Sequence, residues 1–248
     1  MKSEISCVII TKNEAHNIRR CLESVKWMDE VIVVDSGSED ETVAICKSMG
    51  CKVIEIEWMG YGKTKGFAVK QAKHDWVFSI DADEEMTPEL RQRVEKILSS
   101  TDAVQGYYVR ERTFYLGRLI RFSGWGSEYH LRLFNRNYGN YNEKELHESI
   151  RLKGEKARIE EHLLHYSYPS IEVHLRKINL YTTLGAQQLK AKGRSSSILS
   201  ALIRGKLRFI KTYFLYGGFL DGREGLCLAL ISAYGVSFKY LKLWKMTR

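Results

Sequence analysis

The sequence predicts an α/β protein: a Rossmann-like, mostly parallel sheet with helices on both faces, followed by a helical C-terminal region. Through residues 6–81 short β-rich runs alternate with segments of helical period, which is the pattern of consecutive β-α-β units. The runs are apolar almost throughout, VIVVD for example, as strands covered on both faces must be. From residue 170 onward large apolar residues recur at helical spacing among lysines and arginines.

Taken in order, residues 6–11 read as a first buried strand, and 15–26 as a helix with Ile18, Leu22 and Val25 on one face. A second strand covers 31–35, a helix 40–49, a third strand 52–57 and another helix 63–73. The fourth strand, 76–80, ends at Asp81. Between about 105 and 165 the pattern becomes irregular, with the aromatic runs GYYVRERTFY and HLRLFNR separated by glycine-rich turns, and is read as an extension of the sheet. Pro169 marks a boundary, after which 198–214 and 225–243 are the clearest helical stretches. The expected organisation is a domain over 1–168, in two halves over about 1–100 and about 101–168, and a basic amphipathic region over 169–248.

With 248 residues, 44% of them hydrophobic, the chain can bury a sizeable core, and disordered or fibrous classes are excluded. The five cysteines are odd in number and form no C-x-x-C pair, so buried free thiols in a reducing cytoplasm are expected. The N-terminus opens into a strand-like run without a basic, apolar, small-residue leader, which argues against export. No run reaches the roughly 18 consecutive apolar residues of a spanning helix, so membrane contact is expected to be peripheral. The net charge of +9 is uneven: residues 170–248 hold 14 Lys and Arg against three Asp and Glu. Such a surplus attracts phosphate groups on lipids, nucleic acids or a phosphorylated acceptor, and also fits a merely solvated helix face.

In an open parallel sheet, ligands bind beyond the carboxyl ends of the strands. That rule selects residues 11–14, 35–38 and 81–84, three polar clusters that should converge on one crevice. Asp81-Ala82-Asp83 closes an apolar strand with two carboxylates, the hard oxygen donors that Mg²⁺ or Mn²⁺ requires while diphosphate oxygens complete its shell. Alone, D-x-D equally fits a helix cap or a solvated turn, and only its place after the fourth strand favours a metal.

Three segments, CVIITKNEAHNIRRCLESV, EVIVVDSGSEDETVAI and WVFSIDADEEM, in this order and spacing, resemble the donor-binding half of glycosyltransferase family 2, an inverting family with the GT-A fold. The stretches WMGYGKTKGFAVKQA and RLFNRN…ELHES are similar to those of lipopolysaccharide-core glucosyltransferases within it. The resemblance implies that Thr11, Asn13 and Glu14 line a uridine pocket and that Asp35 binds the base or ribose, although a cap within the turn DSGSED explains Asp35 too. It further implies that Lys65 reaches the diphosphate, that Asp81 faces the ribose, and that Asp83 binds the metal with His165 as a further ligand. Glu148 falls where the family has its catalytic base, but the usual Glu-Asp pair reads His147-Glu148 here, and Glu145 and His147 are alternates. Gly124, Trp125 and Gly126 would line the donor sugar, or form a plain aromatic turn.

Other readings are weaker. GKTKG lacks the first glycine of a P-loop, and His162 with His165 lacks the further ligands of a zinc site. The expected activity is inverting transfer of a hexose, glucose from UDP-glucose, to a lipopolysaccharide-core or other lipid-linked acceptor at the cytoplasmic face of a membrane. Transfer to polyprenyl phosphate is the related alternative. A nucleic-acid-binding protein is the alternative from another class, opposed by the acidic crevice and the lack of any nucleic-acid motif. The segment SILSALIRGKLRFIKTYFLYGG reads either as an interfacial helix on anionic lipid or as a stripe packed against the catalytic domain.

Overall fold

The computed structural model describes residues 2–100, 104–125, 128–142 and 149–248. The chain divides into two compact units, one made of 1–111 with 128–165 and the other of 112–127 with 166–248.

The first unit opens with β1 (Ile5–Thr11), α1 (Ile18–Val25), β2 (Glu30–Asp35), α2 (Thr42–Ser48), β3 (Lys52–Glu55), α3 (Tyr61–Lys70) and β4 (Trp76–Asp81). Strands β3, β2, β1 and β4 lie side by side in parallel register, and the connecting helices cover both sheet faces. Ile18, Cys21, Leu22 and Val25 give α1 one buried stripe at helical spacing. Full burial of each large aliphatic side chain there stabilises by about 1.5–3 kcal/mol. This helix starts three residues later than its periodicity suggests, because residues 15–17 form a turn in which the Asn17 and Ile18 N–H groups both donate to the Glu14 carbonyl. In contrast α3 starts two residues early, at a turn where Gly60 takes φ 91°, a conformation that only glycine adopts without strain.

Two further elements were not expected from the sequence, although Leu90, Val94, Ile97 and Leu98 of the second recur at helical spacing. β5 (Glu84–Met86) is a three-residue strand hidden in an acidic turn. α4 (Pro88–Leu98) follows it, its N-terminus fixed by the Thr87 hydroxyl accepting from the Leu90 N–H and by Pro88 in the first turn. Then come β6 (Val104–Tyr115), β7 (Arg118–Leu119), β8 (Tyr129–Asn135), β9 (Gly139–Tyr141), β10 (Ile150–Leu152) and β11 (Glu155–Tyr168). The sheet order is β3-β2-β1-β4-β8-β6-β11-β5, so the irregular middle of the sequence does extend the sheet, with β8 antiparallel to both β4 and β6. β11 runs antiparallel to β5, with His165 opposite Glu84. Cys7, Cys21 and Cys46 are buried free thiols within this unit.

The second unit contains α5 (Ile171–Ala191), α6 (Ile198–Ile210) and α7 (Gly222–Met246), with a wide turn over Lys211–Leu215 between the last two. Helix α7 packs against both α5 and α6. The approach of α6 is close, since a Cβ at Gly205 would meet Ser237 Oγ at 1.9 Å and the Ala233 carbonyl at 3.0 Å. By length and composition alone Gly218–Met246 is long and apolar enough to cross a membrane, although no run of 18 consecutive apolar residues occurs in it.

Candidate functional site

The carboxyl ends of β1, β2 and β4 lie together in register: Thr11 pairs with Asp35 and Ile10 with Asp81. The loops that follow are tied to one another. The Asn13 N–H donates to Ser38 Oγ at 2.8 Å and Asn13 Oδ1 accepts from the Glu39 N–H at 2.8 Å, while the Glu14 N–H donates to Thr42 Oγ1 at 2.9 Å. Asp35 is buried, and its Oδ2 accepts from the Gly37 and Ser38 N–H groups at 3.0 and 2.8 Å. This is the turn-capping geometry; a carboxylate offers about four acceptor sites, so a ligand hydroxyl can still be received. Beside it, the buried hydroxyls of Thr11 and Ser36 have no hydrogen-bond partner among the described residues. Buried polar groups are nearly always satisfied, so an orphaned pair at the mouth of an open sheet is suited to a polar ligand.

Around the end of β4 lies a second, charged cluster. Lys65, buried on α3, meets Asp81 Oδ1 at 2.8 Å. Arg132, buried on β8, meets Asp81 Oδ2 at 3.2 Å and is paired with the buried Glu84. Burial opposes ionisation of Asp81, but the Lys65 ammonium and the Arg132 guanidinium outweigh it and hold the carboxyl well below the usual carboxylate range. At Glu84 burial dominates over the pull of Arg132 and raises the carboxyl.

His165, on β11, stands between two carboxylates: its Nε2 is 3.2 Å from Asp83 Oδ2 and its Nδ1 is 2.5 Å from Glu111 Oε1. Burial works against the imidazolium, yet hydrogen bonds to Asp83 and Glu111 raise its pKa well above the ordinary histidine value. Glu111 is conversely pulled down to about 2, the bond to His165 overcoming burial. Donor atoms of Glu84, Glu111 and His165 lie within 4.8 Å of one another, with Asp83 against the same imidazole. Carboxylate oxygens with one imidazole are a donor set suited to a hard divalent cation such as Mg²⁺ or Mn²⁺, so the residues fit the metal that D-x-D suggested.

Of the residues selected from the sequence, Lys65, Asp81, Asp83 and His165 thus share one cluster, and Thr11, Asn13, Glu14 and Asp35 share the adjoining loops. Glu145, His147, Glu148 and Gly126 lie outside the described residues. Sequence reasoning placed Glu84 in the crevice cluster 81–84 without giving it a role, and did not select Glu111 or Arg132. Arg132 carried one available signal, a lone arginine inside the apolar strand run HLRLFN, where a charge needs a partner.

The family model described as Glycosyl transferase family 2 matches residues 6–162. An uncharacterised glycosyltransferase of Rickettsia felis is 32% identical, over 98% of this chain and 89% of that protein. The lipopolysaccharide core biosynthesis glycosyltransferase LpsC of Rhizobium meliloti is 29% identical, over 94% of this chain and 91% of that protein. Among solved structures, S. aureus TarS in complex with UDP-GlcNAc aligns with a TM-score of 0.42 and 24% identity, over 47% of this chain and 36% of that one. Glucosyl-3-phosphoglycerate synthase of Mycobacterium tuberculosis, in complex with Mn²⁺, UDP and glucosyl-3-phosphoglycerate, aligns with a TM-score of 0.37 and 25% identity, over 46% of this chain and 44% of that one. The chain therefore spans less than half the length of either solved chain.

Proposed function

The chain belongs to glycosyl transferase family 2, and on that premise we propose that it transfers a hexose, glucose from UDP-glucose, with inversion and with the help of a divalent cation, to a lipopolysaccharide-core or related lipid-linked acceptor. The observation that carries the mechanism is the approach of His165 to Asp83 at 3.2 Å beyond the carboxyl end of β4.

Asp83 and His165 would hold the cation, with Glu111 and Glu84 beside them. When bound, the cation neutralises diphosphate charge as the glycosidic bond breaks. The charges present favour it: the carboxyl groups of Asp81, Asp83, Glu84 and Glu111 lie among Lys65, Arg132 and the imidazoles of His165 and His130. That set leaves no cationic surplus for an incoming diphosphate. Lys65 is held by Asp81 with its ammonium at the crevice, in position to share its charge with a phosphate oxygen. The hydroxyls of Thr11 and Ser36, with the Asp35 carboxylate, offer the hydrogen bonds that would recognise the nucleoside.

Glu148 is assigned the acceptor step. An attack from the face opposite the nucleotide requires a base at the acceptor hydroxyl, and a carboxylate supplies it by taking that proton as the new bond forms. Support for the acceptor class comes from LpsC, which is similar along nearly its whole length. Binding of UDP, measured by calorimetry with Mn²⁺, with EDTA and with Asp83→Ala, tests the donor half of this reading. Turnover of Glu148→Gln tests the acceptor half.

A further inference from the structure

Helix α6 is amphipathic the wrong way round for a helix that packs through its apolar side. Its buried positions, Ala201 and Gly205, are small, with Gly205 against α7, whereas its large apolar side chains are exposed. Leu199, Leu202, Ile203, Leu207, Phe214 and Leu215, on α6 and the turn after it, are each between 50 and 74% exposed. On a 3.6-residue period Leu199, Ile203, Leu207 and Ile210 fall on one side, opposite Ala201 and Gly205. The large side chains of this stripe are thus not buried within the unit that carries α6. Contiguous apolar surface of this kind on a soluble chain marks an interaction site.

Charge identifies the occupant. The unit that carries α6 holds 17 Lys and Arg against three Asp and Glu, while the other unit holds 22 against 27. Arg204, Lys206 and Lys211, all exposed, flank the apolar stripe. A second copy of the chain would bring one strongly basic surface against another, and a nucleic acid would leave the leucines unburied. A bilayer with anionic headgroups satisfies both features, since the stripe enters the headgroup and acyl boundary while the basic side chains reach phosphates. Exposed Tyr216 and Phe219 in the following turns are of the aromatic type that seats at that boundary.

We infer that α6 and the turn after it form a docking face for an anionic phospholipid surface, lying in the interface plane. The inference rests on this surface alone and is independent of the glycosyl-transfer chemistry.

The test is co-flotation of the full chain with vesicles of phosphatidylcholine alone and of phosphatidylcholine mixed with phosphatidylglycerol. Flotation should occur with the anionic vesicles only, and sodium carbonate should release the protein. Lys206→Gln with Lys211→Gln should weaken binding by about fivefold per charge, roughly 30-fold together. Leu199→Ser with Leu207→Ser should weaken it by roughly 30-fold as well. Both leucines are exposed, so the variant should keep the parent's thermal unfolding midpoint, and an unchanged midpoint shows that the fold is intact. Three results would overturn the inference: equal flotation of the leucine variant, retention through carbonate, which would make α7 a spanning helix, or a vesicle-free dimer that the leucine substitutions dissociate. Binding to nucleic acid in preference to the anionic vesicles would overturn it too.

Discussion

Replacing Arg132 with leucine strands carboxylates in the interior. Arg132 and Glu84 are almost wholly buried and paired with each other, and Arg132 also meets Asp81 Oδ2 at 3.2 Å. Breaking one side of a buried ion pair destabilises by about 3–5 kcal/mol, because the remaining charge has neither water nor partner. For a protein of this size that corresponds to a melting temperature lower by roughly 10 °C. The assay is urea unfolding at neutral pH of the parent, Arg132→Leu, Glu84→Leu and the double variant. A large share of the loss should return in the double variant, since removing both charges leaves an apolar contact in place of an unpaired ion. A loss under about 1 kcal/mol for Arg132→Leu would refute the reasoning, as would strictly additive behaviour of the pair.

The remaining predictions concern both units. His174 is buried beside the Tyr115 hydroxyl, 3.0 Å from its Nδ1, and burial lowers its pKa to about 4. Between there and an unfolded value of about 6.5 the unfolded chain binds more protons, so stability should fall on acidification through that window by up to roughly 3 kcal/mol. His174→Asn should flatten that slope in denaturant titrations across pH. Gly205→Val, which forces α6 away from Ser237 and the Ala233 carbonyl, should destabilise by about 1–3 kcal/mol in thermal unfolding. Glu148→Gln should bind UDP as the parent does and lose turnover by at least about 10²-fold; retained turnover in a competent assay would remove Glu148 from the mechanism.

How legible the molecule is from its sequence follows from which forces set each part. Strands β1, β2 and β4 and the stripe of α1 are dictated by local apolar period, and periodicity locates them within a few residues. β5 escapes because three residues with two glutamates carry no period, and β11 because its charged outer positions, EKARIEEH, mask the inward Ile159 and Leu163. The site divides along the same line. Asp81 and Asp83 follow a recognisable strand and could be found by position, whereas Glu111 sits in RER with no motif around it. It reaches His165, 54 positions later, only because β6 and β11 are neighbours in a sheet whose order departs from chain order. The sequence could show that α6 is amphipathic; which of its sides is buried depended on how closely α7 approaches at Gly205.

The central claim is that the cluster at the end of β4 binds a nucleoside diphosphate through a divalent cation. Calorimetric titration of UDP with Mn²⁺ present, with EDTA and with Asp83→Ala tests it most directly. Binding that requires Mn²⁺ and disappears in Asp83→Ala is the expected result. Equal UDP binding with EDTA or in Asp83→Ala would contradict the metal assignment, and no UDP binding under any condition would contradict the donor site itself.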